Sequence, residues 1–146
     1  MCGYYKNHFR LLSDGMNHRM RRQRGFVAEV LQNFLPKYTI SQTEKDFEIL
    51  QKIIDSKSIP CDDIWASEAL GIIFGDALLA SIDGLQWREV TDEYGTPPCL
   101  WVRGTRTQIN APAMISTRIE DGDEVRFDWL VAWVNNIVKQ TLNEKL

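Results

Sequence analysis

Between Ile64 and Ile82 the sequence IWASEALGIIFGDALLASI is apolar on nearly every side of a helix, and it carries two carboxylates, Glu68 and Asp76. Such a helix has no polar face to offer water, so the rest of the chain must wrap it. The two acids also break the stretch as a membrane span, which leaves a central, buried helix and no membrane partner as the expectation. At 3.6 residues per turn the acids lie about 80° apart, on adjoining faces. Burying either ion is expensive unless it is paired, and Arg88, Arg103 and Arg118 are the expected partners. Gly71 and Gly75, four residues apart, let another backbone come close, although each costs about 1 kcal/mol of helix propensity against Ala.

Other elements follow from periodicity and punctuation. Phe26, Val27, Val30, Leu31, Phe34 and Leu35 mark one face of a helix that starts near Asn17 and stops at Pro36. Its first turns carry Arg19, Arg21, Arg22 and Arg24, a run that suits solvent or the acidic body of this or another copy. Ser41 and Glu44 have capping-box spacing, which predicts a second helix to about Asp55. Asp62 or Asp63 caps the central helix. Gln86–Glu93 and Cys99–Arg106 read as strands joined by a Gly/Pro turn, with a third strand over Thr107–Asn110. Pro112 opens a short helix stopped by Gly122. A last helix, starting between Asp123 and Asp128, places Phe127, Leu130, Val131, Val134 and Val138 on one face, with Trp129 and Trp133 beside it.

These elements predict an α+β fold. N-terminal helices, the central apolar helix, a small antiparallel sheet of two or three strands and a C-terminal helix form a single domain over 17–146. Residues 1–16 show no period and are expected to be an arm outside the core. With 146 residues, 44% hydrophobic, one core needs no disulfide or metal.

Charge and thiols narrow the function classes. Residues 1–40 hold seven Lys/Arg against two Asp/Glu, and residues 41–146 hold ten against eighteen. A body this acidic repels phosphate backbones and argues against nucleic acid as a partner. Cys2, Cys61 and Cys99 are odd in number and far apart, which fits a reducing cytoplasm. The two histidines, His8 and His18, lie ten apart with no thiols at ligand spacing, so no metal or cofactor site is expected. Glu120–Glu124 lacks the alternating pattern of a calcium loop and reads as a solvated link between helices.

Three runs between Leu70 and Leu130, LGIIFGDAL, GLQWREVTDEYGTPPCLWV and PAMISTRIEDGDEVRFDWL, resemble the bacterial domain of unknown function 3806 family. The resemblance implies a bacterial source and an α+β fold, and it supplies no catalytic site. The first 40 residues lie outside it.

The reading of function is therefore a cytosolic protein-interaction module that binds a protein partner or a second copy. A toxin-neutralising immunity protein, its acidic body matched to a basic nuclease-like target, is one concrete form. The expected binding surface is the hairpin, where Trp87 and Trp101 face outward beside Asp92, Glu93 and Tyr94. No catalytic residues are assigned. The alternative is a small enzyme that uses Glu68 and Asp76 as an acid/base pair, or Cys2 as an N-terminal nucleophile.

Overall fold

The computed structural model describes residues 8–90 and 97–145. A short strand β1 (Phe9–Arg10) precedes five helices and three further strands: α1 (Asp14–Phe34), α2 (Asp46–Ser56), α3 (Ile64–Ser81), β2 (Leu85–Val90), β3 (Cys99–Val102), β4 (Gln108–Ile109), α4 (Ala111–Asp121) and α5 (Phe127–Lys145). The strands form one antiparallel sheet in the order β1-β2-β3-β4. The fold is α+β as expected, with four strands where two or three were predicted. The added strand is β1, and two residues are too few to show a period.

Helix α3 is the hub, touching α1, α2, α4 and β2. Asp63 caps it by accepting the Ala66 N–H at 3.0 Å. It has the length and apolar composition to cross a membrane, but 67% of it is buried inside this fold. Gly71 is where α4 comes closest: a Cβ there would sit 2.3 Å from Pro112 Cα. At Gly75 the neighbour is the Trp87 ring, also 2.3 Å from a would-be Cβ. The core gathers around α3 from every helix and from β2, β3 and β4, with Phe74 and Phe127 edge to face at 5.4 Å.

Three local expectations give way. Helix α1 begins at Asp14, where the Ser13 hydroxyl accepts the Met16 N–H at 3.1 Å. Just before it, Phe9 is buried and stacks on Trp101 at 5.3 Å between ring centres. The chain from Phe9 onward is thus docked on the body. At the far end of α1, Phe34 lies exposed beyond the buried face. The Ser41–Glu44 capping box does not form. The buried Asp46 carboxylate instead accepts from Ser41 N, Ser41 Oγ and Gln42 N at 2.9, 3.0 and 2.7 Å, and α2 starts there. One carboxylate taking three hydrogen bonds outweighs the reciprocal pair of a box.

Candidate functional site

Both acids of α3 are engaged, by arginines of α1. Arg24 grips Asp76 with two parallel hydrogen bonds, Nε–Oδ2 at 2.7 Å and Nη2–Oδ1 at 2.8 Å, and Trp87 Nε1 donates to the same Oδ1 at 3.0 Å. Arg19 pairs with Glu68 at 2.9 Å. Burial pushes the Glu68 carboxyl above its ordinary value, and the Arg19 charge opposes that rise. The expected partners are occupied elsewhere or exposed. Arg88 binds Gln86 and the Trp87 carbonyl, Arg118 binds the Met114 carbonyl, and Arg103 faces solvent. The basic run of α1 is therefore a latch on α3, and this arrangement spends both carboxylates on holding two helices together.

The hairpin expectation changes in the same way. Trp87 pairs with Leu100 across the ladder and turns inward onto Gly75 and Asp76. Trp101 pairs with Gln86 and lies on the outer face, but Phe9 stacks on it and its Nε1 donates to the Thr105 carbonyl at 2.7 Å, leaving it 8% exposed. The outer face carries a small cluster of Phe9, Cys99 and Trp101 with Val90 beside it. The two tryptophans thus share no face. Asp92, Glu93 and Tyr94, like Cys2, lie outside the described residues. It is Phe9, and not Trp129 or Trp133, that covers Trp101; the latter two are 58% and 52% exposed on α5.

A different surface concentrates apolar area and charge. Between α2 and α5 lies a groove of about 1360 Å³, completed by the turn after α2 and by the link from α4 to α5. Its floor is Phe47, Ile54, Ile59, Ile119 and Val131, each partly exposed, over the buried Phe127. Five acids line it, Glu48, Asp55, Asp123, Glu124 and Asp128, against two bases, Lys57 and Arg126. Gln51 ties its two walls together. Its Nε2 donates to the Val125 carbonyl at 3.0 Å, and its Oε1 accepts the Phe127 N–H at 3.0 Å. That second bond satisfies a free N–H at the start of α5.

Arg126 is itself engaged. It makes two bonds to Asp128, at 3.1 and 2.8 Å, and lies 4.3 Å over the Trp129 ring. The bond to Asp128 raises the Arg126 pKa, and the nearby Glu124 and Asp55 add to that rise. The same bond holds the Asp128 carboxyl below the usual carboxylate range. Among the described residues, no cluster of three or more His, Cys, Asp or Glu is placed to hold a metal. Sequence reasoning passed over the groove. Its one linear signal is the acid run 120–124, which read as a plain solvated link.

The architecture defines an α+β module with a helix-walled groove. The chain belongs to the family described as Domain of unknown function (DUF3806), which matches residues 46–131. That span runs from the first residue of α2 to Val131, so every groove-lining residue lies inside it, while β1 and α1 lie outside. A crystal structure from Bacteroides thetaiotaomicron VPI-5482 has a similar fold, with a TM-score of 0.76 at 18% identity over 85% of this chain. The match covers 45% of that chain, so this chain spans less than half its length. No curated protein matches the sequence.

Proposed function

We propose that the chain is a protein-interaction module whose docking site is the groove between α2 and α5. The observation that carries this reading is an apolar groove lined by five carboxylates against two bases. Small-molecule sites are commonly about 300–1,000 Å³ and enclosed. A groove of about 1360 Å³ between two helices is better matched to a polypeptide segment. Glu68 and Asp76, the acids an enzyme reading would use, are bound to arginines away from this groove. The free thiols of Cys61 and Cys99 fit a reducing cytoplasm as its place of work. Neutralisation of a basic toxin is the instance that the acidic rim suits best.

A photo-crosslinking residue at Ile59, in the groove, should capture one discrete polypeptide in the native host. The same group at Leu79, exposed elsewhere on α3, should not. Identical products from the two positions, or none from Ile59, would refute the groove as the docking site.

A further inference from the structure

The geometry points to a basic amphipathic α-helix as the occupant of the groove, with Arg126 as the internal cation it displaces; this rests on the docking site proposed above. The backbone of the walls decides the conformation. Both main walls are helices, whose N–H and C=O groups are spent within themselves. An extended segment would find no strand edge to pair with, whereas a helix enters with its own backbone bonds complete. The floor decides one face of that helix. Val131 on α5 and Phe47 and Ile54 on α2 line the groove with Ile59 and Ile119, all of them partly exposed, so the apolar side chains of one helix face fit among them. The rim decides the other face, since five carboxylates against two bases favour Lys and Arg on the partner.

Arg126 already shows how a cation is held there. Asp128 receives its guanidinium through two hydrogen bonds while the Trp129 ring lies beneath it, a seat that a partner's arginine would fit equally. An incoming arginine must compete with Arg126 for this seat. Removing the Arg126 charge should therefore tighten binding, the opposite of what a contact residue does.

The test is fluorescence anisotropy of the full chain with three labelled model peptides: a leucine-faced lysine/arginine helix, its glutamate counterpart, and the basic sequence interrupted by proline. The basic helix should bind, the glutamate helix should not, and the proline should weaken binding by at least about tenfold. Asp123→Asn and Glu124→Gln should each weaken it about two- to fivefold, and Arg126→Gln should strengthen it by a similar factor. Val131→Glu separates a seat from mere attraction. It makes the rim more acidic yet spoils the floor, so binding should fall by about tenfold. Ile59→Glu, on the turn after α2, repeats that test without placing a charge in a helix. A rise in affinity with either glutamate, equal binding of the proline peptide, or looser binding by Arg126→Gln overturns the inference. If the peptides fail while crosslinking at Ile59 still captures a partner, the occupant is wrong and the docking site stands. If both fail, the docking site falls too.

Discussion

Asp76 holds an arginine of one helix and a tryptophan of a strand with a single carboxylate. Asp76→Ala should strand the Arg24 guanidinium and the Trp87 N–H, lowering unfolding free energy in urea by about 2–3 kcal/mol. An unchanged urea midpoint would mean that the carboxylate is free for another role. Glu68 has a pH signature. Its folded pKa is raised above the ordinary value of 4.5, so the folded chain holds that proton more tightly than the unfolded one. Its contribution to stability is complete below the unfolded pKa and is lost as pH rises through the folded one. Glu68→Gln should therefore lose less stability than the native chain as pH rises above that ordinary value; a steeper loss would contradict this. The thiols differ in another way. Burial pushes Cys99 up to about 12, whereas Cys61 is exposed. Iodoacetamide on the native fold should label Cys61 and spare Cys99, as read by peptide mass mapping.

Each helix was legible where its own residues dictate it. The apolar surround of Ile64–Ser81, the Asp63 cap and the Gly122 stop, with φ of 74°, all act over a few positions. What escaped was anything closed by distant partners. Nothing near Phe9 announces that it will pair with Val90 and stack on Trp101, and nothing near Arg24 names Asp76. A chain begun at Met16 should accordingly lose more than a few degrees of melting temperature. It forfeits a buried phenylalanine, worth about 3–5 kcal/mol on truncation, and a helix cap worth about 1 kcal/mol. A shift of only a degree or two would show that β1 is dispensable. Gly71→Ala presses a methyl group into the Pro112 backbone and should cost about 1–3 kcal/mol in a thermal or urea melt.

On the scale of the molecule, the charge asymmetry is used twice. The cationic first helix closes onto α3, and the acids of later segments collect around an open groove. The groove could not be read from sequence, because its walls are joined by Gln51 across 74 and 76 positions and its rim acids come from α2, α5 and the link between α4 and α5. Gln51→Leu should leave the Val125 carbonyl and the Phe127 N–H unpaired, at about 1–3 kcal/mol, and should loosen the crosslinking at Ile59. Wild-type stability in that variant would mean that the walls stand without the clasp.

The pairing of Phe9 with Val90 also sets an order of events during synthesis. That rung cannot exist until β2 has left the ribosome, nor the stack on Trp101 until β3 has, and the acids that hold α1 are themselves 49 and 52 residues downstream. Contacts of such long reach close slowly. The segment synthesised earlier therefore cannot complete its native contacts until these later segments have emerged.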